Sequence, residues 1–509
     1  MKFSERKSMA SNTKSRSFAG HAATYAIGNV ARKVVGFLML PIYTRYLSPT
    51  DYGVVGLLIF ALSVFEPLLG ARLGWAIPKF YVDASDSRGR RTVIWGALGL
   101  TGAASMVSLV VLVLFRGMGA ELLFGNRKYA LALGLFAITL LSQPIEQTGM
   151  TYIRLRERSG LFLLFSMVKL VLQLVLNVLL VVYWREGVLG VVLSTVISSV
   201  LLGIGFTAYV AFHEAPAFDW QVTRKMVQFC WPLWLSALAG LYIGSSGTVY
   251  VRAFDTLSDV GLLALAAKFS TVVIFLIWAP FFQHWEPMSY RYHKEANGRQ
   301  KFQVAFIVIS ALMFAGGLGI SIFSEPVIKV MAAKPFYAAA PVVPILTLGI
   351  VLNCLRQFFN FSFYVTGNTK VQSLCQYGTA LVITIAYLLL IPKFGLMGAA
   401  TAQCVAFAAS FIFLRFMSRR YYDPGFNLVP IVAFALIGSG AYFCSNVLFQ
   451  VSNFEADLVM KSLVLLIGAA LMAFVGVRAI QITEGASMES LPWPLDKLGR
   501  LQFGRQSGS

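Results

Sequence analysis

The chain has 509 residues, 58% hydrophobic and only 13% charged, with 42 Lys and Arg against 22 Asp and Glu and a formal net charge of +20. A soluble domain carries roughly twice that charged fraction, and one of this length could not keep so much apolar surface from water. The composition excludes a soluble globular enzyme and makes lipid the solvent over much of the chain.

The N-terminal segment 1–17 is basic, with Lys2, Arg6, Lys7, Lys14 and Arg16. The apolar run that begins at Phe18 has no small-residue cleavage site and carries Arg32 and Lys33, so it reads as a membrane span and not as a signal peptide. A spanning helix needs about 20 mostly apolar residues. Fourteen runs qualify, at about 18–43, 53–78, 92–115, 129–152, 160–183, 187–212, 226–250, 259–288, 302–323, 337–365, 371–391, 395–417, 427–449 and 458–480. Pro67 and Pro144 interrupt two of them, which membrane helices tolerate. The expected fold class is therefore an all-α polytopic membrane protein of about fourteen transmembrane helices.

Basic residues between the spans set the orientation. With the N-terminus in the cytoplasm, 26 Lys and Arg fall on the cytoplasmic side and nine outside. Both termini are expected inside, and this distribution accounts for the positive charge without nucleic acid. No loop exceeds about 16 residues, which leaves no room for a soluble domain.

An internal repeat organises the spans. Leu47-Ser48-Pro49-Thr50-Asp51-Tyr52-Gly53-Val54 corresponds to Asp255-Thr256-Leu257-Ser258-Asp259-Val260-Gly261-Leu262, with Asp51 and Gly53 falling on Asp259 and Gly261 at an offset of 208. Arg185-Glu186-Gly187-Val188-Leu189-Gly190 falls on Lys393-Phe394-Gly395-Leu396-Met397-Gly398 at the same offset. One offset at two distant anchors points to duplication. The copies hold six spans each and so share one orientation, a transporter plan with substrate between the halves. The expected division is a lobe at 18–212, a cytoplasmic linker at 213–225, a second lobe at 226–417, two further spans within 418–480 and a cytoplasmic tail at 481–509.

Six basic residues lie well inside spans: Arg32, Lys33, Arg72, Lys169, Lys268 and Arg356. Glu66 reads as the only central acid, and Lys461 lies near a span end. A central charge facing lipid costs about 2.5–3.5 kcal/mol, so six would cost roughly 15–20 kcal/mol; a wet cavity is the expected location. Polar stripes support this. His21, Tyr25, Asn29, Arg32 and Gly36 share one helix face, as do Ser166, Lys169, Gln173 and Asn177 on the fifth span. Asn353, Arg356, Asn360 and Tyr364 do so on the tenth, and Gln372, Gln376 and Thr379 mark the eleventh. A cationic cavity suits an anionic ligand, and arginine suits phosphate geometry. Taken singly, each charge equally fits an interhelical pair, for instance Glu66 with Arg32 or Arg72. Glu66 and His284 are the groups best placed to carry a coupling proton, although His284, beside Trp285 and Glu286, equally fits an interfacial role. Sodium held by backbone carbonyls would leave no mark on the sequence.

No nucleotide-binding Gly-x-x-x-x-Gly-Lys-Ser/Thr loop, His-Glu-x-x-His or Cys-x-x-Cys pattern is present, so neither a nucleotide-driven pump nor a zinc site is encoded. The five cysteines are scattered through apolar runs and read as packing residues. Asp51, Asp255 and Asp259 read as turn and helix-start residues, and Asp83 and Asp86 stand among arginines. The expectation is a transporter with no covalent catalytic site and no cofactor beyond a coupling proton or sodium ion. A membrane polymerase or glycosyltransferase is the enzymatic alternative.

The turn Arg45-Tyr46-Leu47-Ser48-Pro49-Thr50-Asp51-Tyr52-Gly53 resembles that after the first span of Wzx-type polysaccharide flippases. These belong to the multidrug/oligosaccharidyl-lipid/polysaccharide (MOP) superfamily, with the MATE exporters and the lipid II flippase MurJ. Asp259-Val260-Gly261-Leu262-Leu263-Ala264-Leu265-Ala266-Ala267-Lys268 and Ile391-Pro392-Lys393-Phe394-Gly395-Leu396-Met397-Gly398-Ala399-Ala400 resemble the start of that family's eighth span and its turn between spans 11 and 12. The likeness covers about residues 18–420. It implies two six-helix bundles in a V around a central cavity, with two extra helices. It also implies alternating access in the inner membrane, an ion gradient, and undecaprenyl-pyrophosphate-linked oligosaccharide as cargo for O-antigen, capsule or exopolysaccharide. Arg32, Arg72, Lys268 and Arg356 match the family's cationic cavity by type; Tyr25, Asn29, Lys33, Lys169, Gln173, Asn177, Asn360 and Gln376 are the secondary polar candidates. Membrane lipids and other polysaccharide assembly proteins are the expected partners. The rivals are a major-facilitator transporter, whose basic loop Asp86-Ser87-Arg88-Gly89-Arg90-Arg91 only partly matches, and a MATE-like drug exporter, whose cationic cargo the buried bases disfavour.

Overall fold

A computed structural model describes residues 36–37, 39–69, 73–448 and 453–484. The described residues are almost entirely helical, with no strand among them. Contacts divide the chain into two units, 1–261 and 262–509.

In the first unit, α1 (Leu40–Tyr46) is the described end of the first span, and α2 (Pro49–Leu69) follows at once. The junction is a reciprocal cap. Asp51 Oδ2 accepts from the Ser48 backbone N–H (3.1 Å) and hydroxyl (2.7 Å), and the Asp51 N–H donates to Ser48 Oγ (3.1 Å). With Pro49 in the first helical turn, this satisfies N–H groups that a helix start leaves orphaned. A short helix, Ile77–Asp83, leads to α3 (Ser87–Leu114), capped by Asp86, whose Oδ1 accepts from Gly89 N–H at 2.9 Å. Then come α4 (Arg127–Leu155, kinked into shorter segments), α5 (Ser159–Asn177, continued by a π turn to Tyr183), α6 (Gly187–His213) and α7 (Trp220–Phe254). α4 packs on α3 and α6, and α7 on α2 and α3. Gly149 on α4 admits the Phe206 ring of α6; a Cβ there would stand 2.6 Å from that side chain. Such close approach through small residues is how helices associate where lipid removes the hydrophobic drive.

The next helix, α8 (Leu257–Tyr292), starts with the same device. Asp259 Oδ2 accepts from the Thr256 N–H (3.2 Å) and hydroxyl (2.5 Å), and the Asp259 N–H donates to Thr256 Oγ1 (3.2 Å). Ser48 and Asp51 thus have geometric counterparts at Thr256 and Asp259. At the second anchor Gly187 and Gly395 both hold φ at +54°, a region where a side chain is strained. A Cβ on Gly190 would stand 2.9 Å from Leu180 O, and one on Gly398 would collide with Leu390 O.

The second unit continues with α9 (Gly298–Met331) and α10 (Val342–Val365), the latter interrupted at Arg356. Thr369–Ser418 is helical except at Gly395, which divides it into α11 (369–394) and α12 (396–418). α13 (Val429–Phe443) and α14 (Phe454–Glu484) lie against α9. Phe302, Phe306, Phe358, Phe359, Phe363 and Phe434 are buried in one apolar cluster, to which α14 contributes Met472. Each expected span from the second to the fourteenth has its helix; most of the first, 18–43, lies outside the described residues. Ten described helical segments are long and apolar enough to cross a membrane, and one of them, Lys370–Ser418, contains both α11 and α12.

Candidate functional site

In the first unit, Lys169 on α5 donates to both carboxylate oxygens of Glu146 on α4, at 2.8 and 2.6 Å. Glu146 is 5% exposed. This corrects the expectation that Glu66 is the only central acid. It also takes Lys169 out of the set of uncompensated cavity charges, since the two ions neutralise each other. The sequence did carry a signal: the run Ser142-Gln143-Pro144-Ile145-Glu146-Gln147-Thr148 breaks the apolar pattern in mid-span. Glu146 also lines a cavity of about 660 Å³, together with Trp75, Thr101, Gln147, Thr151 and Arg154.

Asn177 is 1% exposed and ties three helices together. Its Oδ1 accepts from Tyr43 OH (3.0 Å) and Ser194 Oγ (2.9 Å), while its Nδ2 donates to Gln173 O (2.8 Å). Gln173 is half-buried.

In the second unit the stripes on α10 and α11 converge. Arg356 is 6% exposed and stands at the break in α10. Its Nε donates to Asn353 Oδ1 (2.7 Å), one terminal nitrogen to Ser410 Oγ (3.1 Å) and the other to Gln376 Oε1 (3.1 Å). Ser410 and Thr379 hydroxyls are 2.7 Å apart and extend the network across α12 and α11. Every one of these partners is neutral, and among the described residues no carboxylate forms an ion pair with Arg356. The contacts use three of the five N–H donors that a guanidinium carries. Asn360 is buried one turn further along α10.

Lys268 and His284 lie half-buried on α8. Glu66 falls within α2, but its side chain lies outside the described residues, as do Tyr25, Asn29, Arg32, Lys33 and Arg72 altogether. Of the four expected phosphate ligands, the structure therefore places Arg356 and Lys268.

A second buried arginine has a different environment. Arg415, at the end of α12, donates to Asp423 Oδ1 (2.7 Å) and Oδ2 (3.3 Å) and to Phe426 O (3.1 Å). Its guanidinium lies over the Phe426 ring at 5.7 Å. Partial burial acts to raise the Asp423 pKa, but the Arg415 hydrogen bonds, the Gly425 N–H and the charges of Arg415 and Arg419 outweigh it and hold the carboxyl below its ordinary value. Arg415 is a buried latch on the loop between α12 and α13.

A family model described as polysaccharide biosynthesis protein matches residues 20–293, more than half of the chain. The chain belongs to that family. The fold of this polysaccharide biosynthesis chain is shared with solved transporters. The lipid II flippase MurJ in its inward closed conformation gives a TM-score of 0.72 at 14% identity, over 89% of this chain and 99% of that one. An inward-facing multidrug resistance MATE transporter of the MOP superfamily gives 0.63 at 17% identity, over 79% and 96%. The MATE transporter DinF-BH in complex with R6G gives 0.54 at 16%, over 80% and 96%. No curated protein matches the sequence. The family and the MOP fold agree with the resemblance read from the sequence, and the chain is a multi-pass membrane protein.

Proposed function

We propose that the chain moves an oligosaccharide carried on a lipid pyrophosphate from the cytoplasmic to the outer leaflet of the inner membrane, for assembly of a surface polysaccharide. The observation that carries this is Arg356: a buried guanidinium inside a membrane span, bedded on neutral acceptors, in a member of the polysaccharide biosynthesis family. Arg356 has no carboxylate partner among the described residues; a buried cation without a counter-ion is expensive, and a pyrophosphate would supply that charge with geometry suited to arginine. Arg356 acts with Lys268 on the phosphates, and Asn360 and Gln376 hold the glycan. The site is exposed alternately to the two faces, a proton or sodium gradient resets it through Glu66 or His284, and no covalent bond changes. Both termini lie in the cytoplasm.

Glu146 supports one rival function, export of small cations in the manner of MATE transporters, because a buried carboxylate beside a cavity would suit such cargo. Its neutralisation by Lys169 weighs against that.

The test uses the full chain in proteoliposomes whose inner leaflet is loaded with labelled undecaprenyl-pyrophosphate oligosaccharide. Transfer is read as glycan accessible to an external glycosidase. Wild type transfers it, and Arg356→Gln reconstitutes equally well but does not. Transfer by the variant at the wild-type rate, or transport of an organic cation and no glycan by wild type, would reject the proposal.

A further inference from the structure

Two cavities in the second unit lie side by side. The first, about 280 Å³, lies among α9, α10 and α13 and is walled by Phe314, Leu318, Ile345, Leu348, Val351 and Phe443. The second, about 350 Å³, sits at the C-terminal end of α9 and is lined by Ser324, Glu325, Lys329, Tyr337 and Asn446. Ser321 and Tyr442 line both, so the apolar slot and the polar mouth are neighbours that share a wall.

Two of the hydroxyls that line the slot are satisfied by their own helices. Ser321 Oγ donates to Gly317 O (2.8 Å) and Thr347 Oγ1 to Val343 O (2.7 Å). Both hydroxyls are turned onto their own helices. An apolar slot between candidate membrane-spanning helices gains dispersion contacts when an acyl chain enters it and forfeits them when empty.

The mouth has both signs of charge. Lys329 Nζ lies 2.6 Å from Glu325 Oε1, and the two side chains are 51% and 46% exposed, so each can reach a ligand. The Tyr337 hydroxyl donates to Lys329 O at 3.2 Å and keeps its acceptor lone pairs. An anionic headgroup would meet Glu325 and a purely cationic one Lys329. A zwitterion satisfies both, with its phosphate on Lys329 and its ammonium on Glu325.

We propose that these two cavities bind a zwitterionic phospholipid of the phosphatidylethanolamine type, with one acyl chain in the slot and the headgroup on the Glu325–Lys329 pair. The lipid then touches α9, α10 and α13 together and cements α13 onto the second unit. The proposal is independent of which cargo the chain moves.

The test purifies the full chain in detergent and adds phosphatidylethanolamine, phosphatidylglycerol or neither. Retained lipid is read by native mass spectrometry and unfolding by a thermal scan. Wild type is expected to retain phosphatidylethanolamine in preference to phosphatidylglycerol and to melt higher with it. Ser439→Trp, at an exposed position on the slot wall, fills the slot and removes both effects. Glu325→Gln with Lys329→Gln leaves the slot open and removes the headgroup preference. Both are surface changes; should the tryptophan variant not fold, the mouth variant decides alone. Equal retention of the two lipids by wild type, wild-type retention by Ser439→Trp, or an unchanged preference in the mouth variant would overturn the proposal.

Discussion

Gly53 and Gly261 touch backbone to backbone. A Cβ on Gly53 would stand 3.1 Å from Gly261 N and collide with Leu257 O; one on Gly261 would stand 3.0 Å from Gly53 N and collide with Pro49 O. Pro49 and Leu257 are themselves equivalent under the 208-residue offset, so the contact is reciprocal. The first turns of α2 and α8 meet at positions that correspond under that offset.

Substituting either glycine by alanine forces these helix starts apart. Overpacking of this kind costs about 1–3 kcal/mol, read as a lower thermal midpoint in detergent. Because both methyl groups strain one contact, Gly53→Ala with Gly261→Ala should cost clearly less than the sum of the single changes. Full additivity would mean that the two residues do not share a contact.

The Glu146–Lys169 pair predicts an asymmetric double-mutant cycle. Lys169→Met leaves a buried carboxylate without its cation and should destabilise by about 3–5 kcal/mol. Glu146→Gln in the same chain should restore most of that loss, since the remaining pair is uncharged. A single Lys169→Met as stable as the double would show that the ions do not depend on each other.

Arg356 separates charge from shape. Arg356→Lys keeps the cation but cannot reach Asn353, Ser410 and Gln376 from one planar group. Glycan transfer in proteoliposomes should fall sharply in the lysine variant and vanish in Arg356→Gln, with yields of folded protein near wild type. Transfer by the lysine variant at the full rate would reduce the site to a point charge.

The Asp423 latch predicts a pH dependence with a definite sign. Its carboxyl has a lower pKa in the folded chain than the ordinary value of about 3.9, so the folded state favours the ionised form. The stability this adds is complete above the ordinary value and is lost as pH falls through the lowered folded value. Wild type should therefore exceed Asp423→Asn in thermal midpoint at neutral pH, with the gap closing only below about pH 4. A gap that closes between pH 5 and 7 would implicate another group.

Much of the architecture was legible because lipid imposes a simple rule on length and polarity. The repeated anchors were legible for a different reason: Gly187 and Gly395 hold a positive φ at which a side chain is strained, and Gly53 and Gly261 sit at a crossing too close for a Cβ. Pairing was harder to read. A stripe such as Ser166, Lys169, Gln173 and Asn177 reveals a shared face but not what faces it. Lys169 meets Glu146, and Asn177 meets Tyr43 and Ser194, partners that only packing brings near. The stripes through Arg356 and Gln376 did meet, because α10 and α11 lie side by side with those faces turned together.

Phe434 on α13 and Met472 on α14 are both fully enclosed, within the same cluster as Phe306 and Phe358. The last two helices are accordingly a wall of the second unit and not an appendage to a finished bundle. A shortened chain that stopped at Ser418 would bare a phenylalanine-rich flank to the bilayer and lose Asp423, leaving the Arg415 cation in that flank without its partner.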